Sequence, residues 1–120
     1  MEENVEIEIN CLQDRVVVAF KSAQVSGAEG IADACSKILD YIDKNNPKLV
    51  IIDFEEVKFF SSQVLGMLLN LKGRLEKRGG KLLISSINPQ LYRVFRITNL
   101  DKIFRFFPDR ESANKHIPVK

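Results

Sequence analysis

The sequence predicts a single α/β domain over residues 1–120, with a mixed sheet of four to five strands and helices mainly on one face. Two observations lead to this prediction. Short apolar segments of strand type alternate along the chain with longer segments that have the period of a helix. In addition, the central segment "KLVIIDF" is apolar without alternation, which is typical of a strand covered on both faces.

The first third of the chain predicts a β-hairpin followed by a helix. "VEIEI" alternates apolar and charged residues, "NCLQD" has the composition of a turn, and "RVVVAF" is a second strand. Ser26 and Glu29 have the spacing of a capping box, which predicts the start of the first helix. "KNNP" ends this helix, because proline restricts the residue before it. The apolar stripe of the helix is expected to be Ile31, Cys35, Ile38 and Ile42.

The middle of the chain predicts a second helix after the central strand. It is expected to begin at about Ser61 or Ser62 and to end at Gly79 and Gly80. Gly73 lies inside it at a cost of about 1 kcal/mol relative to alanine, which suggests close packing there. The buried stripe is expected to be Val64, Leu68, Leu71 and Leu75.

The last third predicts two strands and two helices. After the strand "KLLIS", residues 88–89 (Asn-Pro) have the pattern of an N-cap and a first helical residue, and Asn99 is a candidate left-handed terminator. "KIFRFF" is expected to be an edge strand, and residues 108–109 (Pro-Asp) begin a short closing helix that ends at about His116. The residues of the third helix that are expected to face inward are Leu91, Val94 and Phe95.

Composition and motifs favour a binding module over an enzyme. The formal net charge is +2 and the cations are scattered along the sequence, so no direct nucleic-acid partner is expected. The chain has no GxSxG, Walker, GxGxxG or HExxH motif, and its one histidine, His116, is expected to be a surface residue. We therefore expect no catalytic residue, no cofactor and no metal site.

Cysteine usage and the N-terminal segment predict a cytoplasmic location. Cys11 and Cys35 have neither CxxC nor zinc-ligand spacing, so we expect buried or half-buried free thiols in a reducing compartment. The acidic, alternating N-terminal segment resembles neither a signal peptide nor a transit peptide. No apolar run approaches the roughly 20 residues of a membrane-spanning helix, so no membrane span is expected.

From residue 48 to 107 the chain resembles the STAS domain of bacterial anti-sigma factor antagonists. The family pattern has a buried strand, D-L-S-x-V, a hydrophobic pair and D-S-S/A-G-L-G at a helix start. A G-G pair, a strand, a helix of the form P-x-x-x-x-x-F and L-x-x-I-F follow. In element order the resemblance covers nearly the whole chain. The residues that fall in register are Asp53, Val57, Leu65, Gly66, Gly79, Gly80, Pro89, Phe95, Leu100, Ile103 and Phe104.

The resemblance implies a phosphorylation site and two partners. Ser62 aligns with the serine that is phosphorylated in the family, and Ser61 is the alternative. The implied partner is an anti-sigma factor with a histidine-kinase-like ATPase fold, which binds the unmodified antagonist and phosphorylates it. A PP2C-type phosphatase restores the serine. The surface expected to bind the partner comprises Phe59, Phe60, Ser61, Ser62, Gln63, Ser22, Gln24 and Ser26.

Phe59 and Phe60 are expected to have different environments within this surface. Adjacent residues that leave a strand usually face opposite ways, so one ring should lie in the core and the other nearer the surface.

Two departures from the family pattern keep other hypotheses open. Ser61 stands where the family has aspartate, Gln63 and Val64 replace a small residue and glycine, and "SAQV" replaces an acidic loop. One alternative is that the two serines are only a helix cap and its neighbour. Another is a non-phosphorylated scaffold STAS subunit of a signalling or lipid-transport complex. Nucleotide binding is the least favoured, because no glycine-rich loop is present.

Overall fold

The computed structural model describes residues 5–12 and 15–115. The strands are β1 (Ile7–Leu12), β2 (Arg15–Phe20), β3 (Gln24–Val25), β4 (Leu49–Asp53), β5 (Phe59–Phe60), β6 (Lys81–Ser85) and β7 (Arg105–Phe107). The helices are α1 (Ala28–Asn45), α2 (Gln63–Lys77), α3 (Pro89–Ile97) and α4 (Arg110–Lys115), with a 3₁₀ turn at Leu100–Lys102. The predicted alternation of strands and helices is confirmed; the expected position of His116 lies outside the described residues.

Five strands form the main sheet in the order β1-β2-β4-β6-β7. β1 is antiparallel to β2, whereas β2, β4, β6 and β7 are mutually parallel, so the sheet is mixed as predicted. β4 is central and all five of its residues are buried, which confirms the interpretation of "KLVIIDF". β7 lies at the edge, as predicted, but only the second half of "KIFRFF" is strand, because Lys102 belongs to the 3₁₀ turn.

Three helices cover one face of this sheet. The four predicted residues of the α2 stripe are buried, and they pack with Val50 and Ile52 of β4 in the main core. In α1, three of the four predicted residues are buried, but Cys35 is only half-buried and Ala34 takes its place in the core. The helices therefore lie mainly on one side, as the sequence predicts.

Among the described residues, α4 is the helix that packs on the opposite face. Ala113 of this helix is fully buried against Leu49, Ile51 and Leu83 in a second, smaller core. The sheet is thus covered on both sides at β4, which explains why the strand has no polar alternation.

Three local predictions about the first third of the chain are wrong. The N-cap of α1 is Gly27 at φ 90°, with no side-chain capping bond, and Ser26 instead accepts a hydrogen bond from Gln24 Nε2 (3.1 Å). The capping box with Glu29 is therefore not formed. The segment "NCLQD" is not all turn, because β1 extends to Leu12, and Cys11 on that strand is exposed instead of buried.

The expectation of close packing at Gly73 is also wrong. Gly73 is exposed, and a Cβ placed on it would meet no atom within 4 Å. The close approach occurs at Gly80, where a Cβ would lie 3.0 Å from the Pro47 carbonyl oxygen and 3.1 Å from a Leu75 methyl carbon. Glycine is needed where α2 turns into β6 and not within the helix.

Candidate functional site

A small second sheet brings the two predicted partner-binding segments together. β3 pairs in parallel with β5, with Gln24 opposite Phe59. The backbone N–H groups of Lys58 and Phe59 both donate to the Ala23 carbonyl (2.7 and 3.1 Å). The segment that contains Ser22, Gln24 and Ser26 therefore lies directly beside the segment that leads into α2, as expected from the sequence.

The two phenylalanines of β5 face opposite ways, which confirms the expectation. Phe60 is 5% exposed and its ring packs against Phe54 (5.8 Å between centroids) and edge-on against Phe95 (6.0 Å). Phe59 is 52% exposed. Because Phe60 anchors the short strand in the aromatic core, Phe59 is presented on the outside at a fixed position.

Ser62 is the N-cap residue of α2 by position, but its side chain makes no capping hydrogen bond. Its backbone is helical (φ −62°, ψ −17°), and its carbonyl accepts from the Leu65 N–H (3.0 Å). The side chain is exposed. The hydroxyl of Ser62 is thus not used as a cap, which removes the main structural explanation for a serine at this point.

Ser61 differs from its neighbour. It is half-buried, and its hydroxyl donates to Gln63 Oε1 (3.3 Å). Its backbone N–H donates to the Val25 carbonyl (3.0 Å) and its carbonyl accepts from the Val64 N–H (3.0 Å). Of the two serines, Ser62 is therefore the more accessible to a modifying enzyme.

The charges near the site are few. The first turn of α2 holds no acidic residue. In the connection between β4 and β5, Glu56 accepts a hydrogen bond from Lys21 Nζ (3.0 Å), and this contact raises the pKa of Lys21 above its usual value. Lys58, beside Phe59, is exposed. At the position of the family aspartate stands Ser61, and the "SAQV" segment that replaces the acidic loop contains no carboxylate.

Ala23 and Lys58 belong to the surface but were not identified from the sequence. They join it through the pairing of β3 with β5, which is only two residues long in each strand. Two residues are too few to produce a periodic pattern, so no sequence signal for this sheet exists.

The site is a surface and not a cleft. A groove of about 640 Å³ between β1 and α1 is lined by Ile7, Ile9 and Lys37 among others, and by none of the predicted site residues. Within residues 5–12 and 15–115, no three His, Cys, Asp or Glu side chains are grouped so that they could hold a metal ion. In the same residues, no helix has the length and apolar character required to span a membrane.

The STAS domain family model matches residues 8–113. The chain therefore belongs to the STAS domain family.

Solved structures of anti-sigma factor antagonists share this fold. SpoIIAA in its unphosphorylated form is 18% identical, with 92% of this chain and 95% of that chain covered and a TM-score of 0.78. A STAS domain protein of this type from Planctomyces limnophilus is 21% identical, with coverages of 89% and 93% and a TM-score of 0.80. The Bacillus cell fate determinant SpoIIAA in its phosphorylated form is 20% identical, with coverages of 92% and 98% and a TM-score of 0.70.

Proposed function

We propose that this protein is a bacterial anti-sigma factor antagonist whose residues 1–120 form one STAS domain. It acts in the cytoplasm as a binding module and not as an enzyme. In its unmodified form it binds an anti-sigma factor with a histidine-kinase-like ATPase fold and so frees a sigma factor. The observation that carries this proposal is the exposed hydroxyl of Ser62 at the start of α2. It makes no capping hydrogen bond and lies near the exposed ring of Phe59.

Phosphorylation of Ser62 by the bound partner is the proposed switch. A phosphate adds about −1.5 to −2 charges, and the N-terminus of α2 favours negative charge by roughly 0.3–1 kcal/mol. Because no acidic residue lies in the first turn of α2, the new charge meets no local repulsion there. The fold should survive modification, while a partner docked over the same spot would have to desolvate an anion. A PP2C-type phosphatase resets the switch.

The proposed partner surface surrounds this hydroxyl. Phe59 supplies an apolar anchor of the aromatic type that is common at the energetic centres of interfaces. The neighbouring polar side chains supply hydrogen bonds at the rim. Phe60 contributes by holding the segment in place and not by direct contact. The polar members of the surface are Ser22, Gln24, Ser26, Ser61, Ser62 and Gln63.

The decisive experiment is incubation of the protein with its cognate anti-sigma kinase and ATP, followed by phosphate mapping by mass spectrometry. We expect phosphate on Ser62 and its removal by a PP2C-type phosphatase. Ser62→Ala should bind the kinase constitutively, and Ser62→Asp should weaken binding with little change in melting temperature. Ser61→Ala is the matched control, because it removes a neighbouring hydroxyl that is bonded to Gln63.

One result would exclude the switch. If neither serine carries phosphate and binding is the same for Ser62→Asp and the unsubstituted protein, Ser62 has no regulatory role. Ser61→Asp tests the second position directly, because it restores the carboxylate of the family pattern. An increase in the rate of Ser62 phosphorylation in this variant would show that the missing aspartate limits modification.

A scaffold STAS subunit in a signalling or lipid-transport complex is the second candidate. It is favoured by the neutral surroundings of Ser62, where Ser61 and the "SAQV" segment replace acidic residues of the family pattern. In this case a pull-down should recover a stable complex whose composition does not depend on ATP. Substitution of Phe59 should disrupt that complex, whereas substitution of Ser62 by aspartate should not.

A further inference from the structure

The fold gathers exposed cations at one end of the molecule, although they are scattered in the sequence. The four parallel strands all run from the same end of the sheet, and the C-termini of α1, α2 and α3 lie at that end. Six exposed cations lie near this end, in strand starts, helix ends and connections. We call this region the basic end, and its cations are Lys48, Lys77, Lys81, Arg96, Lys102 and Arg105.

These six side chains form no ion pair or hydrogen bond with any other described residue. Of the acids nearby, Asp43 contacts Arg74 (3.0 Å) and Arg78 (3.1 Å), and Asp40 contacts Lys44 (3.4 Å). Asp101 of the 3₁₀ turn makes no ion pair with the described residues, so one acid offsets part of the charge of the six cations. The basic end therefore has an excess of uncompensated positive charge over a broad area.

Helix dipoles explain only part of this distribution. Cations stabilise helix C-termini, which accounts for Lys77 and Arg96. Lys48 directly precedes β4 and Lys81 begins β6 opposite Leu49, whereas Arg105 begins β7 two residues further along the sheet, opposite Leu83; sheets have only small net dipoles. Helix dipoles therefore do not account for the positions of Lys48, Lys81 and Arg105.

Two exposed isoleucines accompany the cations. Ile97, the last residue of α3, is 73% exposed, and Ile103, just after the 3₁₀ turn, is 46% exposed. Ile97 forms a shallow groove with Arg93 and Arg96. Ile97 ends α3 and Ile103 lies in the connection from α3 to β7, so the topology places both at the basic end.

We propose that the basic end is a docking surface for an anionic lipid bilayer. Cations near an anionic membrane strengthen binding by roughly fivefold each, and they do so without a shaped pocket. Aliphatic side chains that protrude among cations can enter the boundary between headgroups and acyl chains. The basic end is where the parallel strands begin, whereas Ser62 lies beyond the carboxyl end of β4. A membrane-bound molecule therefore keeps Phe59 and Ser62 accessible.

The chemistry of the basic end favours a bilayer over other anionic partners. Exposed isoleucines do not strengthen binding to a nucleic-acid backbone, because contacts with that backbone are polar and charged. Protein interfaces concentrate their energy in aromatic and arginine anchors that fill pockets, whereas the arginines of the basic end, Arg96 and Arg105, are exposed, and the exposed aromatic ring of the described residues, Phe59, lies at the other end. Diffuse charge combined with protruding aliphatic groups matches a membrane surface.

The test is co-sedimentation of the purified full chain with vesicles of phosphatidylcholine alone or mixed with phosphatidylglycerol. We expect binding only to the mixed vesicles and loss of that binding at high salt. Lys81→Glu/Lys102→Glu should weaken binding more than about tenfold. Lys37→Glu/Lys58→Glu is the matched control, because it makes the same change in net charge away from the basic end. Ile97→Ser should weaken binding about tenfold without a change in charge.

Three results would overturn the proposal. The first is equal binding to both kinds of vesicle, or to neither. The second is an equal loss of binding in the two charge-reversed variants, which would mean that only net charge matters. The third is binding to duplex DNA that is lost in Lys81→Glu/Lys102→Glu but unchanged in Ile97→Ser, without vesicle binding, which would assign the basic end to nucleic acid. Circular dichroism of each variant excludes unfolding as the cause.

Discussion

Replacement of Arg110 by alanine should destabilise the fold, because Arg110 is the cationic partner of the buried Asp53 carboxylate. Asp53, at the end of β4, is 1% exposed. Its Oδ1 accepts a hydrogen bond from the Ser85 hydroxyl (3.1 Å), and its Oδ2 accepts from Arg110 Nε (3.0 Å) and Nη2. Arg110→Ala leaves a buried negative charge with one neutral donor. The same change loosens α4, whose Ala113 covers the second core.

The expected loss in the free energy of unfolding is about 1.5–3 kcal/mol. Breaking a fully buried pair costs roughly 3–5 kcal/mol, because the remaining charge is uncompensated. The Arg110 side chain is 37% exposed, so water can reach Oδ2 once the guanidinium is gone, and the penalty is reduced. Asp53→Asn removes the charge and keeps the shape. The double variant Asp53→Asn/Arg110→Ala should therefore be more stable than Arg110→Ala alone.

The free energy of unfolding of Arg110→Ala, Asp53→Asn and the double variant is measured by urea denaturation followed by circular dichroism. Arg93→Ala is the control, because Arg93 is an exposed arginine of α3 that makes no ion pair with the described residues; its change should stay within about 0.5 kcal/mol. A loss below about 0.5 kcal/mol in Arg110→Ala would refute the reasoning. So would a double variant that is no more stable than Arg110→Ala.

Three further changes test the local geometry. Gly73→Ala should stabilise the protein by about 0.5–1 kcal/mol in urea denaturation, and Gly80→Ala should destabilise it, since its Cβ would lie 3.0 Å from a backbone oxygen; effects of the same sign would contradict this. Asn88→Ala should lower the free energy of unfolding by about 1–2 kcal/mol in the same assay, because Asn88 Oδ1 accepts from the Leu91 N–H (2.9 Å) and Asn88 Nδ2 donates to the Val57 carbonyl (3.2 Å); no loss would contradict the role of Asn88 as the cap of α3. Cys11 should react with a thiol reagent before Cys35, because Cys11 is exposed and burial raises the pKa of the Cys35 thiol; equal rates would contradict this.

The sequence predicted those parts of the fold that depend on local patterns. The stripe of α2 is buried because its spacing matches the helical period over about three turns. Asn88 caps α3 through its side chain, and Asn99 adopts the left-handed conformation (φ 63°), which asparagine tolerates better than most residues. In each case the residues that decide the structure are close together in sequence.

Predictions failed where two backbone options competed or where distant segments meet. At the start of α1, Gly27 can adopt φ 90° and takes the N-cap position, so Ser26 is displaced by one residue from the capping geometry. Gly73 looked like a packing residue, but only the position of neighbouring elements decides whether a Cβ has room. The pairing of β3 with β5 and the basic end both arise from tertiary contacts between segments with no shared local pattern.

The parallel order of the strands separates the two proposed surfaces, and this predicts that they act independently. Ser62 lies beyond the carboxyl end of β4, while Lys81 and Lys102 lie at the other edge of the sheet. The five residues of β4 alone span roughly 13 Å at about 3.3 Å per residue. Substitutions this far apart that share no contact should add within about 0.3–0.5 kcal/mol. Ser62→Asp should therefore reduce kinase binding by the same factor in the unsubstituted protein and in Lys81→Glu/Lys102→Glu. Titration of each variant with the kinase, with vesicles absent, measures both factors. If the effect of Ser62→Asp on the free energy of kinase binding differs by more than about 1 kcal/mol between the two backgrounds, the two ends of the sheet are coupled.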